Sequence, residues 1–306
     1  MVAFVLRRFA SLAVVLFCVI TITFLLVRLA PGGPFARERE IPEAIQKELL
    51  ARYKLDGTLW QQYTDYLGDL LRGDLRLSTK FRGRTVNELI AQSLPVSLQV
   101  GLTAFVLATL GGVWLGSLAA VRQHSWVDTT SMFGALLAIS IPAFVTGPVL
   151  VLIFALKLGW LPVGGWTSWK SLILPAVTLA GPYVAYIARL MRSSMLEVLT
   201  QDFVRTARAK GLSDSAVLYR HALKVAILPV VSFLGPLAAN LLTGSIVIEA
   251  IFAIPGAGSF FVNSIINRDV FLLCGIIIVY CALLVVLNLL VDVAYTFLDR
   301  RIQLDG

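Results

Sequence analysis

Residues 270–291 read VFLLCGIIIVYCALLVVLNLLV, a run without one charged side chain. An α-helix rises 1.5 Å per residue, so roughly 20 apolar residues cross the ~30 Å hydrocarbon core of a bilayer. The run is therefore read as a spanning helix. Working outward from it, uncharged stretches of similar length recur at 9–27, 90–121, 129–156, 171–188 and 225–248. In the second of these, Pro95 preceded by Gln92 and Ser93 predicts a helix start inside the run rather than at Ile90. The chain of 306 residues is 58% hydrophobic and 14% charged, with a mean hydropathy of +0.84, which excludes a soluble globular domain. The fold class expected is an all-α polytopic membrane protein with six transmembrane helices.

The distribution of charge predicts the orientation. With a cytoplasmic N-terminus the inner segments hold Arg7, Arg8, Arg122, Arg189, Arg192, Arg205, Arg208, Lys210, Arg220, Lys224, Arg300 and Arg301, whereas the short outer loops hold Lys157, Lys170 and Arg268. The positive-inside rule then predicts both termini in the cytoplasm. It also means that the net charge of +8 reflects topology, and no nucleic-acid partner is expected. The first run is too long for a secretory signal and lacks a small-x-small cleavage site, so it reads as an uncleaved anchor. Cys18, Cys274 and Cys281 lie inside apolar runs and imply no disulfide or metal framework.

Three regions follow: 1–29 with the first span, an extracytoplasmic loop at 30–93, and a membrane core at 94–306. The loop opens on the breakers Pro31, Gly32, Gly33 and Pro34. Ile45, Leu49, Leu50 and Tyr53, and then Tyr63, Tyr66, Leu67 and Leu70, recur at helical spacing and predict short amphipathic helices there. Trp160, Trp166 and Trp169 fit anchorage at the headgroup level. Gly112 with Gly116, and Gly235 with Ala239, are spaced to let helices pack closely.

Between the fourth and fifth runs, residues 189–224 are polar and far longer than a helix connection requires. Leu196, Leu199, Phe203 and Ala207 recur at i+3 and i+4 and predict one helix with an apolar stripe, Arg205 and Arg208 lying on another side. Gly211 after Lys210 is a C-terminal stop, and Ser213 with Asp214 starts a second helix running toward His221. Ala207 and Gly211, four apart, would let another protein approach closely. The chain carries no G-x-x-x-x-G-K-[ST] phosphate loop, no H-E-x-x-H and no Ser/His/Asp constellation, so no enzymatic activity of its own is expected.

The run from Asp202 through Phe203, Val204, Arg205, Thr206, Ala207, Arg208, Ala209, Lys210, Gly211 and Leu212, continuing through Arg220, His221, Ala222, Leu223 and Lys224 to Leu228, Pro229 and Val230, resembles the E-A-A loop of ABC importer permeases. It is most similar to the oligopeptide, dipeptide and nickel branch, closest to the B-type subunit of the oligopeptide importer. Leu29–Gly32, Gly73–Leu75, Leu94–Ser97, Ile248 with Glu249, Pro255–Gly258 and Asn267–Asp269 extend the likeness along the chain. Arg205 stands where the family's glutamate would be, Thr206 where its first alanine would be, and Pro229 lies further beyond Gly211 than in the better-known form.

The resemblance implies a type I importer permease in a bacterial inner membrane. It would pair with a second permease subunit, two ATPase subunits that bind the ATP and Mg, and an extracytoplasmic binding protein that delivers peptide; this chain would bind no cofactor itself. Segment 196–224 would couple it to an ATPase through Phe203 as apolar anchor, Ala207 and Gly211 for close seating, Arg205, Arg208 and Lys210 as polar contacts, with Thr206, Ser213 and Asp214 in the same surface. Dipeptides, nickel complexes and glutathione are alternative cargoes. For the pathway the polar residues within runs, Gln99, Asn240 and Thr243, are candidates, with Glu249 among the acids nearest a run's interior, beside Asp292. An ion-coupled carrier would be expected to show paired acids at mid-bilayer, and no run centre carries one.

Overall fold

The structure is a computed structural model, and it describes residues 2–29, 43–243 and 245–298, with side chains at 10–28, 47–242 and 245–290. The Pro31–Pro34 run, the side chains of Thr243 and Asp292, and Arg300 and Arg301 lie outside this set. The regular elements among the described residues are helices: α1 Val2–Leu29, α2 Glu43–Arg52, α3 Leu59–Leu71, α4 Val86–Val121, α5 Trp126–Ser140, α6 Ala143–Leu150, α7 Ile173–Leu199, α8 Asp202–Ala209, α9 Asp214–Ala216, α10 Leu223–Ala226, α11 Leu228–Thr243, α12 Ile246–Ile251, α13 Ala257–Asn267 and α14 Val270–Leu298. Among the described residues four segments are long and apolar enough to cross a membrane: Ala10–Arg28, Val86–Val121, Trp169–Leu199 and Val270–Leu290. Two bent helix pairs bring the number to six if each pair counts as one span. Large apolar side chains such as Leu110, Phe133 and Leu290 are exposed on these helices, as expected where hydrocarbon is the solvent.

The spans differ from the sequence reading in four places. The second starts at Val86, well before Pro95, because Thr85 and Glu88 form reciprocal capping contacts: Glu88 N donates to Thr85 Oγ1 at 3.2 Å and Thr85 N to Glu88 Oε2 at 3.4 Å. The third breaks at Ile141, whose φ −94° and ψ 119° are those forced on a residue preceding proline. α5 and the helix continuing from α6 through the π-helical Val151–Lys157 meet there at 109°. The fourth runs on past Ala188 to Leu199. The fifth bends by 51° near Ile227 and ends at Thr243, so α12 is a separate short helix.

The chain divides into two compact units. One takes in the described residues up to Val96 together with Pro255–Val286. Its core joins Leu55, Val86, Leu89, Ile90, Phe271, Leu272 and Ile276, and a second cluster brings Phe24 of α1 onto Tyr66 of α3 beside Cys274. α3 begins at a capping box of Thr58 with Gln61, and Tyr63 hydroxyl meets Thr21 Oγ1 at 2.6 Å. Asp69 is buried and accepts from Lys54 Nζ at 3.0 Å and Arg76 Nε at 2.8 Å, while the Arg76 guanidinium lies over the rings of Tyr66 and Phe271. Burial alone would raise the Asp69 carboxyl, but hydrogen bonds from Lys54 and Arg76 outweigh it and hold the group below the usual carboxylate range. Asp269, just before α14, accepts from Ser78 Oγ and from Thr79 N at 3.1 Å, which ties the loop to the start of that helix.

The other unit takes in Ser97–Ile254 and the described residues from Leu287. Gly112 and Gly116 of α4 sit against α7: a Cβ added at Gly116 would lie 2.4 Å from Ala188 O, and one at Gly112 2.5 Å from Ile187 Cβ. This is the packing the small-residue spacing predicted. Gly235 and Ala239 are likewise buried. α5 packs along α7, and Tyr186 of α7 meets Phe233 of α11 with ring centroids 4.4 Å apart. In the tryptophan-containing loop, Gly165 N donates to Phe252 O at 2.8 Å, and Trp160 and Trp169 remain exposed.

Candidate functional site

The polar segment after α7 is built by local signals. α7 ends where Thr200 Oγ1 returns to Glu197 O at 2.8 Å, and the extended backbone of Gln201 then starts α8. Leu196 and Leu199 thus belong to α7 and Phe203 and Ala207 to α8, so the single striped helix expected from their spacing is two helices joined at residues 200–201. Asp202 in the first turn of α8 and Arg208 in its last turn match the helix dipole. The helix closes in a Schellman motif: Leu212 N reaches Ala207 O at 3.4 Å and Gly211 N reaches Arg208 O at 2.9 Å. Gly211 takes φ +80°, the left-handed conformation that favours glycine at this position. Ser213 then caps α9 through Ala216 N at 3.3 Å, and Arg208 Nε lies 3.6 Å from Asp214 across the turn.

Which residues face outward departs from the sequence reading at one position. Val204 and Ala207 are buried, because α8 packs on the π-helical turn Val217–Ala222. Ala207 therefore does not share the open face with Gly211; i+4 spacing places both along one line of a helix, but Gly211 lies beyond the helix end. The open face consists of Phe203, Arg205, Thr206, Arg208, Lys210, Gly211, Ser213 and Asp214. It also includes Leu212 and Tyr219, which spacing did not single out. Arg205 pairs loosely with Asp202 at 3.5 Å and is otherwise in solvent. Phe203 and Leu212 are the exposed large apolar side chains of this stretch, set among the cations Arg205, Arg208 and Lys210.

The pathway candidates separate. Gln99 of α4 and Asn240 of α11 are both exposed although they sit in apolar helices. Between them α4 and α11 are in backbone contact: a Cβ at Gly101 would lie 2.6 Å from Leu241 O. Two uncharged amides thus emerge beside one helix crossing. Glu249 is fully buried on α12, where it accepts from Ser245 Oγ. Ser245, itself buried, immediately precedes α12 and lies one turn before Glu249. Among the described residues no group of three His, Cys, Asp or Glu is arranged to hold a metal.

Comparison with known proteins supplies the context for these surfaces. Residues 112–304 match the family model described as the binding-protein-dependent transport system inner membrane component. The chain is 45% identical over 305 residues to the oligopeptide transport system permease protein OppB of Haemophilus influenzae, covering 99% of this chain and 100% of that protein, and equally to OppB of Escherichia coli K12. It is 44% identical over 304 residues to the dipeptide transport system permease protein DppB of Bacillus subtilis, covering 99% of each. A chain of the MetNI methionine ABC transporter, solved in inward-facing conformations, superposes with a TM-score of 0.52 at 18% identity, over 70% of this chain and 96% of that one. That last likeness concerns the fold alone.

Proposed function

The chain belongs to the family of binding-protein-dependent transport system inner membrane components, and from that premise we propose that it is the permease subunit through which an ATP-driven importer passes oligopeptides. The observation that carries this reading is the 45% identity with oligopeptide permeases, which extends over 99% of the chain. The partners are a second permease subunit, two ATPases that bind ATP and Mg, and an extracytoplasmic protein that delivers the peptide. Six spans with both termini in the cytoplasm fit this role; the cation-rich α8 segment and the Asp128 end of α5 then lie on the inner side.

In this mechanism the exposed patch of α8 seats in an ATPase cleft. Phe203 and Leu212 supply apolar contact, and Arg205, Arg208 and Lys210 meet acidic or polar groups. Gly211 allows the partner's backbone to approach. Closure of the ATPase pair moves this segment as a rigid body, and the helices above it switch between inward and outward opening. Gln99 and Asn240 line the path. Uncharged amides hydrogen-bond peptide backbones without choosing among side chains, which suits cargo of varied sequence. Dipeptides are the second reading, favoured by the near-equal identity to the Bacillus dipeptide permease.

Co-purification with co-expressed neighbours, followed by uptake into proteoliposomes, tests the proposal. Two ATPases and a second permease should accompany the chain, and ATP should drive uptake of a labelled pentapeptide that unlabelled dipeptide competes with poorly. Uptake without ATPase subunits would overturn the mechanism, and dominant competition by dipeptide would reassign the cargo.

A further inference from the structure

An ion pair with a buried carboxylate and a part-exposed guanidinium joins α5 to α7 outside every surface described so far. Arg192 Nε donates to Asp128 Oδ1 at 2.6 Å and Arg192 Nη2 to Asp128 Oδ2 at 2.7 Å, a two-pronged contact between residues 64 apart in sequence. The Asp128 side chain is 7% exposed. Its carboxylate also accepts from His124 N at 3.1 Å, with His124 held at φ +63°, and Ser125 caps the same turn of α5.

We propose that Asp128 and Arg192 are positioning residues that carry movement of the α8 segment into α5. Arg192 lies two turns, ~10 Å, before the end of α7 at Leu199, and α8 begins three residues later, so any tilt of the segment acts first on this part of α7. Adhesion alone does not require charge here. α5 and α7 already lie against one another, and burying the Asp128 carboxylate costs solvation that an apolar side chain avoids. What the guanidinium fork adds is direction: apolar surfaces can slide or rotate against one another, whereas two parallel charge-assisted hydrogen bonds fix both separation and rotation. α5 therefore turns with α7 rather than slipping along it. Beyond the 109° bend the same chain continues as α6, which packs on α7 and on α12, so rotation of α5 is delivered to the helix that encloses Glu249.

The inference rests on the importer reading above, and one assay separates the two. The assembled complex is reconstituted in proteoliposomes, and labelled pentapeptide taken up per ATP hydrolysed is measured for wild type, Asp128→Asn, Arg192→Lys and the exchange Asp128→Arg with Arg192→Asp. Both single variants should hydrolyse ATP but take up about fivefold less peptide per ATP, or lower, and the exchange should recover most of the loss. Because the ratio is taken on assembled complex, a purely structural pair would reduce the yield of complex and leave uptake per ATP unchanged. That result would overturn the proposal, as would an exchange that restores nothing. Failure of the wild-type complex to take up peptide on ATP addition would instead overturn the importer reading.

Discussion

Gly211 shows how a single residue can combine a backbone requirement with a surface one. At φ +80° a side chain costs about 1 kcal/mol whatever its size, yet a Cβ there meets nothing within 4 Å inside the chain. Gly211→Asn tests the backbone and Gly211→Arg adds bulk on the open face. Both should reach the membrane at normal levels; ATP-driven uptake should survive in the first and be lost in the second, with hydrolysis continuing. Equal uptake by the two variants would remove Gly211 from the docking surface. Asp69 makes a different prediction. Its carboxyl is held below its ordinary range, so the stability it contributes is complete above the unfolded value of about 4 and is lost as pH falls through the lower folded one. Protection of α3 amides against hydrogen exchange should accordingly fall across that acid window in the wild type. In Asp69→Asn it should already be reduced at neutral pH, by ~3 kcal/mol, because Arg76 is left buried without its carboxylate, and should depend less on acid. At Gly116 the neighbour is backbone, Ala188 O, so Gly116→Leu should destabilise by ~1–3 kcal/mol in a thermal melt, whereas Gly134→Ala, with open space around it, should be nearly neutral.

At the scale of elements, amphipathic helices and the turn at Gly211 were legible in the sequence, and several ends of the apolar helices were not. α2 and α3 were expected from periodicity, and the stop at Gly211 and the start at Ser213 from residue type. The early start of α4 was missed because Pro95 outweighed the capping pair ten residues before it, although proline inside a membrane helix is tolerated when neighbours satisfy the freed carbonyl. The break at Ile141 and Pro142 carried a signal, a proline in mid-run, but no sequence rule turns that signal into 109°. A straight helix would separate spin labels at Thr130 and Ile153 by about 35 Å. The wild-type distance should be well below that and Pro142→Ala should lengthen it, since Ile141 would no longer be barred from helical geometry.

For the whole molecule, the chain divides into one unit built on the loop helices with the start of α14 and another built on α4 to α12. Composition alone determined that this protein lives in a bilayer, roughly where its apolar helices lie, and that a polar segment interrupts them, because transfer from water to hydrocarbon is summed over a local window of about 20 residues. The resemblance carried by residues 202–230 reached the family from the same linear text. Only the tertiary structure decided that Ala207 turns inward, that Glu249 is enclosed beside Ser245, and that Asp128 finds Arg192. Each of these is a matter of which side of a helix is covered by neighbouring structure, which for Asp128 lies 64 residues away. That choice is set by close packing between elements, and within the membrane, where lipid and protein are equally apolar, the pattern of apolar and polar residues along one helix does not record it.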